Sequence, residues 1–186
     1  MNILTIDFDW IMSDSIECYN DLISTSTTRS NWADFRKTMP GLNFNPSWEL
    51  FHTVKKICEI YRGKLYKIID HAEILQYINQ PIDTLINIDH HHDYFKSNGL
   101  QPFCGDWVRR LDNKKWFKSY IWIPNPTSDI QDLEKKNYFY IAKPDPMLTL
   151  QKYSIAQVYL CQSPQWLPWE AIELWDLFVA TLDFNN

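Results

Sequence analysis

The apolar run Thr84-Leu85-Ile86-Asn87-Ile88 opens, with no spacer, onto Asp89-His90-His91-His92-Asp93. A short β-rich run of this kind reads as a buried strand. Five consecutive ionisable residues cannot follow it into a core unaided, because carboxylates crowded away from water rise in pKa and destabilise the fold. The junction therefore belongs at the edge of a sheet, where a cation can meet the side chains. In an extended backbone, residues two apart share a face. Asp89, His91 and Asp93 are thus expected to point together, with His90 and His92 turned away.

The same plan recurs. Ile3-Leu4-Thr5-Ile6 is a strand ending in Asp7 and Asp9, again spaced by two. Leu65 to Ile69 is another strand, and it finishes at Asp70-His71. Helix-forming segments separate the strands. One opens near Asn45-Pro46, with proline at a first-turn position, and carries Phe51, Val54, Ile57, Cys58 and Tyr61 on one face before Gly63. Ala72 to Asn79 forms a short helix closed by Pro81. The pattern predicts an α/β chain, a single three-layer domain with a mainly parallel sheet. Polar residues from several strands then converge at the carboxyl edge, where such sheets bind ligands.

The second half is less regular. Cys104 to Leu111 reads as a short helix, while Lys118 to Ile123, Tyr138 to Ile141 and Ile155 to Leu160 read as strands. Leu167 to Leu182 reads as an amphipathic helix containing Trp169, Ile172, Trp175, Leu177 and Val179. Residues 24–46, rich in turn formers, read as a long loop or lid that would admit a peptide.

Composition excludes several functions. With four Gly in 186 residues there is neither a P-loop nor a dinucleotide-binding turn. A net charge of −5 argues against a nucleic-acid partner. Cys18, Cys58, Cys104 and Cys161 form no CxxC pair, which points to reduced thiols in a cytoplasmic setting. No apolar run reaches the roughly 20 residues of a membrane span.

Asp7, Asp9, His71, Asp89, His91 and Asp93 together supply four carboxylates and two imidazoles. That is enough for two ions, and an oxygen-rich set without thiolate suits manganese better than zinc. Each part has a plainer reading. Asp-x-Asp also caps helices, and a single histidine such as His71 is ordinarily just a polar residue at a strand end. His90 and His92 read best as packed, hydrogen-bonded side chains, and Trp107 and Trp122 as core.

These motifs resemble the ureohydrolase (arginase-like) superfamily. Its metal signature joins a histidine of a Gly-Asp-His segment, an Asp-x-His-x-Asp and an Asp-x-Asp. Here Asp70-His71, Asp89-x-His91-x-Asp93 and Asp7-x-Asp9 correspond, in a rearranged order with Asp-x-Asp first. The chain is more closely similar to the family that includes small bacterial peptide arginases. That similarity runs through Ile6-Asp7-Phe8-Asp9-Trp10, Asn87 to Asp93, Cys104-Gly105-Asp106-Trp107-Val108 and Trp122-Ile123-Pro124-Asn125. The resemblance implies an arginase/deacetylase-like fold holding two Mn2+, with Asp7 and Asp89 shared between the ions. It also implies hydrolysis of arginine side chains in a ribosomally made precursor peptide to ornithine and urea. Asp9 and His91 would be catalytic as well as ligating. Glu49, at the start of a helix after Asp-x-Asp, would grip the guanidinium; its plainer reading is a carboxylate favoured at a helix N-terminus. Asp14 and Glu17 are lesser candidates.

Two other readings stand beside this one. Asp89-His90-His91 spells the motif of DHH-type manganese phosphoesterases, although no histidine precedes Asp7 and Asp93 is left without a role. The third is a non-catalytic, metal-stabilised peptide-binding module. Urea release, phosphate release, or tight peptide binding without product separates the three.

Overall fold

The computed structural model describes residues 1–12, 46–96, 105–131, 133–164, 167 and 169–185. The polar stretch from Ser24 to Asn45, Asp14, Glu17, Cys18 and Cys104 all fall outside them.

Strand β1 (Asn2–Asp7) leads into a 3-10 turn (Phe8–Ile11). Helix α1 (Trp48–Ile60) and β2 (Leu65–Ile68) follow, and then a second 3-10 turn (His71–Glu73) that runs into α2 (Ile74–Tyr77). Next come β3 (Ile82–Asp89), α3 (Trp107–Asn113), β4 (Phe117–Pro124) and β5 (Phe139–Ile141). The chain ends with α4 (Pro146–Leu150), β6 (Ile155–Cys161) and α5 (Trp169–Val179). The strands form one six-stranded sheet in the order β2-β6-β1-β3-β4-β5, and every pairing is parallel.

Both faces of this sheet are covered, as parallel strands require. Leu4, Ile6, Ile86, Ile88, Val158 and Leu160 pack with Phe51, Val54 and Ile57 of α1, Leu150 of α4 and Trp175 of α5. Ile3, Leu85, Tyr120, Trp122 and Tyr159 pack on the opposite face with Ile74 of α2 and Trp107, Val108 and Leu111 of α3. Helices thus form the outer layers of a three-layer α/β fold. The period-2 alternation of β1 and β3 puts Thr5 and Asn87 among the second set, and one step further it delivers Asp7 and Asp89.

Some local expectations need correction. Ser47, not proline, begins α1: its hydroxyl accepts the Leu50 N–H at 3.4 Å. Pro46 lies before the cap and bridges Met12. Gly63 does end this segment, at φ +85°, a conformation open to glycine without strain. On α5 the buried face is Ala171, Trp175 and Phe178, while Leu177 is exposed. At 100° per residue Leu177 lies roughly opposite Trp175, so both cannot face the core. Helix α4, capped by Asp145, was not anticipated.

Candidate metal centre

Asp7 ends β1 and Asp89 ends β3. One rung earlier Ile6 pairs with Ile88, so the two carboxylates finish neighbouring strands at one level. On its other side Asp7 pairs with Cys161 of β6. His71 comes from the turn after β2, beyond β6. A capping box holds that turn: Asp70 Oδ1 accepts the Ala72 N–H at 2.7 Å, and Glu73 Oε1 accepts the Asp70 N–H at 3.0 Å. From there His71 Nδ1 lies 3.1 Å from Asp7 Oδ2, 3.3 Å from Asp89 Oδ2 and 2.9 Å from Asp93 Oδ2.

The strand alternation expected after Asp89 is not what brings in the remaining ligands. Strand β3 stops at Asp89, and the chain bends away. Asp93 adopts φ +52°, in the left-handed region that aspartate tolerates better than most residues. His91 and Asp93 consequently reach different parts of the cluster. His91 Nδ1 faces Asp9 Oδ2 at 3.6 Å, just beyond hydrogen-bonding reach, whereas Asp93 meets His71. His90 and His92 do turn away. His90 Nδ1 lies 2.9 Å from Ser128 Oγ, whose hydroxyl donates to the His90 carbonyl at 2.7 Å. His92 packs against Phe95 and the edge of Trp122 and accepts the Tyr94 N–H.

The surrounding core orients these groups. Trp107 and Trp122 are fully buried, yet each also donates to the site: Trp107 Nε1 to Asp93 Oδ2, and Trp122 Nε1 to the Asp89 carbonyl at 2.9 Å. Asn87 Nδ2 donates to Asp89 Oδ2 at 3.2 Å, and Thr5 Oγ1 donates to Asn87 Oδ1 at 2.5 Å. Partners of this sort fix a ligand's orientation before any ion arrives.

Among the described residues, three groups of donor atoms lie close enough to hold an ion, with the atoms of each group all within 4.8 Å of one another. They are Asp9–Asp89–His91, His71–Asp89–Asp93 and Asp7–His71–Cys161. Asp89 belongs to the first two and His71 to the last two. The six residues singled out in the sequence therefore meet in one buried cluster able to bind metal. Cys161 corrects the expectation of a site with no thiol nearby. It carries no local motif and arrives only because β6 is inserted between β2 and β1.

Charge in the cluster is unbalanced. Among the described residues, the ion pairs of these four carboxylates run only to His71 and His91. Without metal, burial first and the Asp9 charge second push the Asp7 carboxyl up to about 8. Burial and then Asp93 hold Asp89 well above the usual carboxylate range. Burial alone would lower His71, but Asp7 and Asp93 outweigh it and raise the imidazole to about 9. Burial likewise works against Asp9, yet the facing His91 keeps it below the ordinary value. Asp9 Oδ2 and His71 Nε2 are both buried without a hydrogen-bond partner. A bare carboxylate oxygen, Asp9 Oδ2, inside an over-acidic cluster is what a cation would satisfy, so the residues fit a divalent ion.

Glu49 is not part of this cluster. It is exposed on the first turn of α1 and lines a cavity of about 260 Å³ with Met12, Ser47, Asn125 and Thr127. Asn125 Nδ2 donates to the Trp10 carbonyl at 2.6 Å and the Met12 carbonyl at 3.0 Å, tying that cavity to the turn that carries Asp9. Among the described residues no helix is long and apolar enough to cross a membrane. Comparison with protein-family models, curated proteins and solved structures finds no match to the chain.

Proposed function

We propose that this chain is a manganese-dependent ureohydrolase that converts arginine side chains of a precursor peptide to ornithine and urea. The observation that carries the hydrolase part is the buried meeting of Asp7, Asp9, His71, Asp89, His91 and Asp93 at three strand ends. An oxygen-rich donor set with two imidazoles favours manganese, and Asp89, shared by two donor groups, favours a pair of ions. Two such ions supply hydroxide at neutral pH by lowering the pKa of water. The choice of arginine is supported by the likeness of the motifs to ureohydrolases and by a carboxylate, Glu49, at the cavity beside the Asp9 turn.

In this reaction a water oxygen bonds to the guanidinium carbon, and the bond from that carbon to the side-chain nitrogen breaks. One water is consumed, urea leaves with its oxygen, and both of its protons pass to the departing nitrogen, the second being the proton that makes it ornithine's ammonium. The chain's own residues hold the plane of the guanidinium and move that proton. Glu49 grips the guanidinium through paired hydrogen bonds, which fixes the carbon against its nucleophile. Asp9, with its bare Oδ2, and His91, 15% exposed at the open side of the cluster, move the proton.

The test is urea release from an arginine-containing peptide and from free arginine, with manganese and with chelator. Metal-dependent urea from the peptide is expected. Phosphate release from a phosphodiester without urea from either arginine substrate would replace this reading with a DHH-type phosphoesterase. Glu49→Ala should retain manganese while losing turnover or raising KM, and full activity in that variant would remove Glu49 from the substrate site.

A further inference from the structure

The Asp7 carboxylate is held by a residue that carries no motif. After β6, the Gln162 N–H donates to the Ile68 carbonyl at 3.2 Å and the Ser163 N–H to the Ile69 carbonyl at 2.9 Å, which anchors the departing chain to the end of β2. Ser163 then adopts φ +47°, a left-handed conformation that a residue with a Cβ rarely takes. The residue is fully buried. Its hydroxyl, 3.3 Å from Cys161 Sγ, donates to Asp7 Oδ2, the oxygen that faces His71. The other oxygen, Asp7 Oδ1, accepts the Asp9 N–H at 2.9 Å. Both oxygens are therefore fixed, Oδ2 towards His71 and Oδ1 on the backbone N–H of Asp9, and the carboxylate cannot swing.

We propose that Ser163 is a positioning residue that holds the Asp7 carboxylate across the cluster so that it serves both ions. This inference rests on the two-ion reading but not on the identity of the substrate. The unfavourable backbone of Ser163 makes sense on these terms, because the left-handed turn directs the hydroxyl back to β1. Glycine would form the turn more easily but would leave Asp7 Oδ2 without its donor.

That contrast provides the test. Ser163→Gly removes the hydroxyl and suits the backbone, while Ser163→Ala removes the hydroxyl and keeps the backbone's difficulty. Manganese affinity is read by competition with a chelating indicator. Spin coupling between the ions is read by electron paramagnetic resonance on protein given two equivalents of manganese, and metal-free melting gives the structural control. Both variants are expected to bind manganese about 10- to 100-fold more weakly, the usual effect of losing a group that orients a ligand. The coupled signal should give way to that of isolated ions, and the metal-free Ser163→Gly protein should melt no lower than wild type. Wild-type affinity and coupling in Ser163→Gly would overturn the proposal. So would an affinity loss confined to Ser163→Ala, which would assign the effect to backbone strain. If the wild-type protein bound no manganese, the two-ion reading itself would fall, a result distinct from either of these.

Discussion

Two clusters of ionisable side chains lie on the α2–α3 side of the sheet, and they solve opposite problems. Around Asp112 the charges balance. Its Oδ2 accepts from the Tyr94 hydroxyl at 2.6 Å and Lys136 Nζ at 2.5 Å, and its Oδ1 accepts from the Tyr138 hydroxyl at 3.0 Å. Burial works against this carboxylate, but Lys136 and the two phenols still hold it below the usual range. At the strand ends, four carboxylates share two imidazoles, and Asp7 and Asp89 respond by rising. The first cluster is complete as a piece of structure. The second is complete only when protons or cations enter, and that marks it as the site.

The sharpest way to break this contrast is to remove one acid from each cluster. Asp89→Ala or His91→Ala should abolish manganese binding and reduce urea release to the level of chelated protein. Retained stoichiometry in either would sink the ligand assignment. Asp89→Asn should lose metal too, yet melt no lower than metal-free wild type, because burial and Asp93 already disfavour the charged form that the amide replaces. Asp112→Asn should do the reverse. Manganese is retained, while stability falls by about 1–2 kcal/mol, a figure kept small because Lys136 is partly solvated. Equal stability losses in the metal-free Asp89→Asn and Asp112→Asn proteins would erase the distinction.

A smaller effect follows from pH. Asp7 has a folded value of about 8 against an ordinary 3.8, and His71 about 9 against 6.5. Both groups bind more protons folded than unfolded between those limits, so each contributes stability that is lost as pH rises through its folded value. Metal-free protein should therefore melt lower at pH 9 than at pH 6.5, by about 5 °C for a chain of this size. Manganese displaces the same protons, so the loaded protein should hold or gain stability over that range. Calorimetry with and without chelator checks the sign, and parallel slopes would show that ion and protons do not compete for these groups.

How far the site was legible follows from the range of each signal. Asp7, Asp9 and Asp89 were readable because a strand and its polar terminus are contiguous in sequence. His71 was readable for the same reason, at the end of β2. The convergence of His91 and Asp93 was anticipated from an extended backbone that the chain does not have. A left-handed Asp93, pinned by Trp107, brings it in instead, and a residue's φ leaves no periodicity to read. Cys161 and Ser163 were invisible because their relevance depends on strand order. Only the insertion of β6 between β2 and β1 puts them beside Asp7, and parallel order is decided by contacts far apart in sequence. On α5, Trp175 and Leu177 are both apolar in sequence, and only their angular separation on the helix puts one in the core and the other in water.

A third cluster, at the opposite edge of the sheet, sharpens the comparison most finely. Asp83, the second residue of β3, meets Lys118 Nζ at 2.5 Å and also the Met1 ammonium. Its charges are balanced like those around Asp112, but the group is open to water. Lys118 first and the ammonium second pull its carboxyl down to about 2. A depressed carboxylate contributes stability that is present above its unfolded value near 3.8 and is lost as pH falls towards 2. Solvent screens that contribution, so Asp83→Asn should lower the melting temperature by less than Asp112→Asn does. The small difference that remains should vanish at about 1 M salt, where the screening length shrinks to roughly 3 Å. The Asp112→Asn loss, made partly out of water, should survive the same salt. If both losses disappeared together, burial would not be what separates these clusters, and the case for reading the strand-end acids as a cation site would lose its physical basis.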